Sequence, residues 1–316
     1  MEEEARMQPN TFKAKVSGDG GGGKKTRTNL RPDLDFTPVN NGMDYLVSAV
    51  KNLTEGSNPP SNRDLKYAVL HLQAATEVLL KARLVRVHWS LVFKNPGNAK
   101  LADFKKGSFD SCNLTATMDR LENIGQVAID AKDREAIDDL SKARNALTHY
   151  GHTDNAYAVE AKAVKVLSFL INFIHKHLKP ALSKEAEGVE ETMSVLRQKL
   201  RGIERLVKDR MQELTSSLAP FSERTVECPV CFQWALVAGE REITCRFCLA
   251  AWDSAMYSAA EYGWIIRGED DFPGLKDCPE CHASFVVGLV NTVDSKDVDV
   301  ALCFHCGTVY QEKGSG

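Results

Sequence analysis

Apolar positions recur with a helical period over the first two thirds of the chain and shift to short unbroken runs in the last third. Met43, Leu46, Val47, Val50 and Leu53 trace one helix face, which Asn58-Pro59-Pro60 ends. Ser61-Asn62-Arg63-Asp64 forms a capping box for a longer helix through Leu65, Val69, Leu72, Leu79, Leu80 and Leu84. Lys94-Asn95-Pro96-Gly97-Asn98 marks a loop. A third helix carries Leu114, Met118 and Leu121 and stops near Gly125. A fourth starts near Asp133, carries Ile137, Leu140, Ala143 and Leu147, and stops at Gly151. A fifth runs from about Asn155 to Leu178, before Pro180. The pattern predicts a mainly α protein with a compact helical bundle over residues 38–182.

From Val189 the stripe Met193, Leu196, Leu200, Ile203, Val207, Met211, Leu214 and Leu218 has heptad spacing with a stutter. It predicts a long helix over 183–221, either packed on the bundle or standing as a coiled-coil strut that assists dimerisation. Residues 222–316 hold β-type runs such as Phe285-Val286-Val287-Gly288-Leu289-Val290. They predict two small β modules in tandem. Residues 1–37 have the composition of a disordered tail. Gly18 to Thr26 resembles a phosphate-binding loop at first sight, but Lys25 stands where a magnesium-binding Ser or Thr belongs and no apolar strand precedes it.

The net charge of −3 conceals an asymmetry. Residues 222–316 contain 7 basic and 15 acidic side chains, a net −8, whereas the remainder carries +5. The apolar stretch Val164 to Ile174 is too short to span a bilayer. The acidic start Met1-Glu2-Glu3-Glu4 has no apolar run behind it, so no secretory signal is visible. A cytoplasmic protein without a membrane partner is expected.

Eight of the nine cysteines fall in four Cys-x-x-Cys pairs, and Cys112 stands alone as an expected core residue. Cys228/Cys231 and Cys245/Cys248 are separated by thirteen residues, and Cys278/Cys281 and Cys303/Cys306 by twenty-one. Each pair fits a tight turn that aims two thiolates at one ion, and two turns complete a tetrahedral site. Two structural Zn²⁺ ions in zinc-ribbon-like modules are expected, with sequential pairing favoured over interleaved pairing. With four cysteines each, neither site has an open position for hydrolytic chemistry. His282 and His305 are expected to shield the thiolates, and Trp234, Trp252 and Trp264 to fill the small cores. A tetrathiolate site adds about −2 of charge, so the acidic tail is expected to contact protein rather than nucleic acid.

The chemistry-bearing run is Arg144-Asn145-Ala146-Leu147-Thr148-His149, followed by Tyr150-Gly151, at the end of the fourth helix. A guanidinium grips a phosphate with paired hydrogen bonds, and an imidazole moves protons near neutral pH. The second helix reads Ala74-Ala75-Thr76-Glu77-Val78-Leu79-Leu80-Lys81-Ala82. Together these segments resemble the HEPN family (higher eukaryotes and prokaryotes nucleotide-binding domains), which has an early Glu-x-Leu-Leu-Lys-Ala helix and a later helix ending Arg-Asn-x-x-x-His. The resemblance covers about residues 42–178 and leaves out the cysteine-rich tail.

What the resemblance implies is an endoribonuclease that needs no metal for catalysis and leaves a 2′,3′-cyclic phosphate. Its setting would be that of a toxin or an anti-phage defence effector. Arg144, Asn145 and His149 inherit the motif's roles: charge stabilisation, orientation and proton transfer. Glu77 is a candidate accessory residue, with an i, i+4 pair to Lys81 as the equal alternative. Tyr150 is a packing or substrate-stacking candidate, and His152 a loop residue. Some members carry a modified tyrosine two residues after the histidine, but Gly151 stands there, so that regulation is not expected. On a helix Asn145 and His149 are offset by only about 40° and Arg144 by about 140° from His149. A homodimer would bring both sets into one cleft, as in the family. RNA is the implied substrate, and a regulatory protein or phage component the implied partner of the zinc part. The competing expectation is a non-catalytic adaptor that binds nucleotide or protein.

Overall fold

The computed structural model describes residues 36–150, 154–240, 242–272 and 274–310. The phosphate-loop-like run, nearly all of the N-terminal tail, Gly151 and His152 lie outside these residues. Thr37, assigned to the tail, instead caps the first helix: its side chain accepts from the Asn40 N–H at 3.2 Å.

The helical part consists of α1 (Pro38–Thr54), α2 (Asn62–Val85), α3 (Leu101–Lys106), α4 (Leu114–Asn123), α5 (Ala131–His149) and α6 (Ala156–Phe173). Ser61, Asn113, Asp130 and Asn155 cap α2, α4, α5 and α6 through side-chain oxygens. Each such cap stabilises a helix start by about 1 kcal/mol. The short α3 and the 3-10 turns around it, between α2 and α4, do not show in the apolar periodicity. α2 is the central helix and packs against α1, α4, α5 and α6. Gly42 lets α1 approach α2 closely, since a Cβ there would stand 2.6 Å from the Leu79 side chain. Cys112 is buried, with its Sγ 3.2 Å from Thr117 Oγ1.

The single long helix expected over 183–221 is two, α7 (Ala186–Leu200) and α8 (Glu204–Leu218). Gly202 is among the poorest helix formers, and the turn tightens there, with the Gly202 N–H donating to Lys199 O at 3.0 Å. The break lets both apolar stripes face the chain's own core. Val189, Met193, Leu196, Leu200, Ile203 and Leu206 are buried in it, and Val207, Met211 and Leu214 pack on it. α7 lies on α1 and α8 on α6, which is the packed alternative rather than a free strut.

The tail holds small antiparallel sheets. β1 (Thr225–Glu227) pairs with β2 (Trp234–Val237), and β3 (Ile243–Thr244) with β4 (Ala251–Trp252). β5 (Val286–Val290), β6 (Val300–Cys303) and β7 (Val309–Tyr310) form the third sheet in that order. Between the modules lies a helix absent from the sequence reading, α9 (Ala255–Tyr262), capped by Ser254 and continued by a π-helical turn, Gly263–Arg267. The modules are not separate beads. One hydrophobic core runs from α1 through Leu236 and Phe247 to Val287 and Phe304. The two ribbons close on each other at Gly239 and Gly307, where a Cβ on Gly239 would meet Gly307 backbone at 2.5 Å. No described helix is long and apolar enough to cross a membrane.

Candidate functional site

Four copies of one backbone turn build the cysteine sites. After the second cysteine of each pair comes a residue with positive φ: Phe232 at 58°, Leu249 at 60°, His282 at 59° and Gly307 at 78°. Its N–H donates to the first cysteine's carbonyl at 2.8–2.9 Å, and the first cysteine's N–H donates to Gln233, Ala250, Ala283 or Thr308 O at 2.9–3.0 Å. Left-handed backbone costs an ordinary residue about 1–2 kcal/mol. Three of the four turns accept that cost without glycine, so only Gly307 signals the geometry in the sequence.

These turns converge in sequential pairs. Cys228, Cys231, Cys245 and Cys248 form one group, and Cys278, Cys281, Cys303 and Cys306 the other, with all ligand atoms of a group within 4.8 Å. Sulfur separations are 3.9 Å for Cys228–Cys248 and 3.7 Å for Cys231–Cys245. They are 3.7 Å for Cys278–Cys306 and 3.8 Å for Cys281–Cys303. A disulfide needs about 2.05 Å. Four thiolates about 2.3 Å from a tetrahedral ion stand about 3.8 Å apart. Both groups therefore fit a structural metal ion, one each.

The two sites differ in their surroundings. All four cysteines of the first are buried, whereas Cys281 and Cys306 of the second are half-buried. The first is seated on α7 and α8 by buried arginines. Arg197 donates through Nε to Cys248 O at 3.1 Å and pairs with Glu190. Arg210 donates through Nε to Phe247 O at 2.6 Å, and through its other nitrogens to Ser168 Oγ at 2.8 Å and Asn172 Oδ1 at 2.9 Å on α6. Arg246, inside the turn, reaches Ser217 O at 2.5 Å. Burial pulls the Arg210 guanidinium down, and the Cys245 and Cys248 sulfurs oppose that loss. Burial likewise pushes the Glu190 carboxyl up, but the bonds from Arg197 and Lys179 outweigh it and leave it below the usual range. The Cys245 and Cys248 sulfurs beside Arg210, and the Glu190 carboxylate beside Arg197, supply the negative charge that lets two arginines sit in the interior.

At the second site the sulfurs meet hydroxyls. Tyr310 OH lies 2.9 Å from Cys278 Sγ and Thr308 Oγ1 3.1 Å from Cys306 Sγ. The expected histidine shielding is not what the side chains do. His282 and His305 are exposed, and His305 stacks edge-on to Phe285 with ring centroids 5.7 Å apart. Trp252 is half-buried and donates to Glu261 at 2.6 Å, and Trp234 is half-buried under Lys296. Trp264 fills no core: it is 65% exposed.

α5 delivers the polar motif to its C-terminal end. Ala136, Ile137, Leu140 and Ala143 are buried and anchor the helix, which leaves Asn145, Thr148, His149 and Tyr150 exposed and Arg144 half-buried. Arg144 Nη1 donates to Asn145 Oδ1 at 2.9 Å, which draws the guanidinium toward the face shared by Asn145 and His149. The Thr148 hydroxyl donates to Arg144 O at 2.8 Å, and the Tyr150 N–H closes the helix on Ala146 O at 3.1 Å. Tyr150 is 92% exposed, so it fills no core. Glu77 pairs with Lys81 at 2.6 Å, and Lys81 also donates to Ser111 Oγ at 2.9 Å. This is the i, i+4 alternative. At the other end of α5, burial and the Asp130 and Glu213 carboxylates push Asp133 up to about 6.

Compared with known protein families, curated proteins and solved structures, the chain matches none.

Proposed function

We propose that the chain is a HEPN-type endoribonuclease that needs no metal for catalysis, with the cleft assembled from two copies of the α5 end. The observation that carries the reading is the open cluster of Arg144, Asn145, His149 and Tyr150. A proton carrier and an aromatic face stand in solvent beside a half-buried phosphate gripper, where a core role would have buried all three. The basic balance of the helical part suits a polyanion.

In this reading His149 takes the proton from a ribose 2′-hydroxyl as its oxygen attacks the adjacent phosphorus. The P–O5′ bond breaks, and the same histidine of the second copy gives a proton to the leaving oxygen. The products are a 2′,3′-cyclic phosphate and a 5′-hydroxyl. Arg144 balances the charge that builds on the phosphorane, and Asn145 holds Arg144 in place. Tyr150 offers a stacking face for a base. Zn²⁺ is the proposed occupant of both four-cysteine sites, where it would hold the ribbons to the helices and do no chemistry on RNA. A role as a toxin or anti-phage effector rests on the HEPN resemblance alone.

The test is total RNA incubated with the metal-loaded protein, with EDTA added only to the reaction. Cleavage to 2′,3′-cyclic ends by wild type, reduced at least a hundredfold in Arg144→Ala, is the expected result. Intact RNA from a folded dimer leaves the adaptor reading, in which the same bundle binds nucleotide or a protein.

A further inference from the structure

The helix between the two ribbons is apolar on both faces. α9 and the π-helical turn after it form one continuous run from Ala255 to Arg267. Its inner face carries Ser258, Ala259, Tyr262 and Gly263, all buried. The Tyr262 ring lies 5.5 Å from that of Phe304, and a Cβ on Gly263 would stand 2.4 Å from the Phe272 ring. This face is fully used by the chain's own core.

The outer face shows Met256 (42% exposed), Tyr257 (63%), Trp264 (65%) and Ile265 (47%). Tyr257 and Trp264 are seven residues apart, about two turns, which sets them together at the centre of the exposed side, with Met256 and Ile265 at its two edges. Folding gains nothing from an exposed Trp-Tyr-Met-Ile patch, and such patches mark interaction surfaces. Trp, Tyr and Met are also residue types enriched in protein interfaces.

Charge decides the partner. Exposed Asp253 precedes the run, and exposed Glu269, Asp270 and Asp271 follow it. Arg267, the cation that ends the run, is drawn to Asp299 at 3.4 Å and Asn291 at 3.5 Å. Residues 222–316 are net −8 before any tetrathiolate charge is added. Such a surface repels nucleic-acid phosphate and anionic lipid headgroups. A peptide with apolar anchors flanked by Lys and Arg satisfies both the patch and its rim. We infer that the Met256/Tyr257/Trp264/Ile265 face docks a basic, amphipathic segment of a partner protein. The inference stands apart from the nuclease reading.

The experiment is selection of a random 16-residue peptide library on the full-length, metal-loaded protein. Counter-selection uses the double variant Tyr257→Ser, Trp264→Ser, whose melting is checked first. Both side chains face solvent, so its melting should match wild type. If it does not, Ile265→Lys, also on the solvent face, replaces it. The expected peptides carry net positive charge with apolar residues at i and i+3 or i+4. They bind wild type at least tenfold tighter than the variant, and salt weakens them. The inference is overturned by peptides that bind the variant equally, by neutral or acidic winners, or by no enrichment. Uptake by phosphatidylglycerol vesicles, or self-association that the substitutions abolish, would also overturn it in favour of a membrane or a second copy.

Discussion

The first four-cysteine site and the open end of α5 are both dense in reactive side chains, and the chain treats them in opposite ways. The cysteines are buried, and Arg197 and Arg210 from α7 and α8 hold the Cys248 and Phe247 carbonyls of their second turn. Arg144 is bonded to Asn145, His149 and Tyr150 close the helix after them, and Asn145, His149 and Tyr150 face solvent. A group that only holds structure gains from burial, because desolvation strengthens its bonds. A group that must meet a large substrate cannot be covered. The second cysteine site stands between these extremes, with two half-buried ligands and a small core of its own.

The contrast is broken most forcefully at the first site. Structural metal binding reaches about 10 kcal/mol in small zinc domains, against a total stability of about 5–15 kcal/mol. Cys245→Ser should therefore abolish cooperative unfolding of the helices as well as the ribbon, read by circular dichroism with metal analysis. If the helices melt as in wild type, the ribbon is only an appendage. Next comes Arg210→Met, which leaves Phe247 O, Ser168 and Asn172 without their charged donor and should cost about 3 kcal/mol in denaturant unfolding. Cys306→Ser at the second site should cost less than Cys245→Ser and spare the helical transition, because it touches the smaller, separate core.

A weaker effect should come from Asp133, whose folded value of about 6 lies above its ordinary 3.8. The neutral form is favoured on folding, so its stability contribution is full below about 3.8 and is lost as pH rises through about 6. Asp133→Asn should raise the melting temperature at pH 7.5 and leave it unchanged near pH 3.5. A shift of equal size at both values would mean that the carboxyl does not titrate there. Least of all, Glu77→Gln should cost about 0.5 kcal/mol, as the loss of one half-buried i, i+4 ion pair on a helix does.

Much of this architecture was readable because it is local. The caps at Ser61 and the α5 and α6 boundaries follow from side chains a few residues apart. The cysteine groups follow from spacing, since each turn is only six residues long. The buried arginines were not readable: Arg197 and Arg210 look like two more charges on a polar helix face until Cys248 and Phe247 arrive from 51 and 37 residues away. The break at Gly202 was hidden by an apolar stripe that continues through it. Trp264 was misread because an aromatic in a small module normally fills it, and here Tyr262 and Phe304 already do. The polar motif was legible as chemistry, and its exposure was not.

We propose that the open end of α5 does the chemistry, while the buried cysteines hold the first ribbon to α7 and α8. The direct measurement is the RNA-cleavage rate of His149→Ala against wild type, with melting temperature and metal content compared on the same samples. Cleavage without free divalent ions should fall at least a thousandfold while melting moves by no more than about 1 °C, as for a surface substitution. A folded, metal-loaded His149→Ala protein that cuts RNA at the wild-type rate would contradict it.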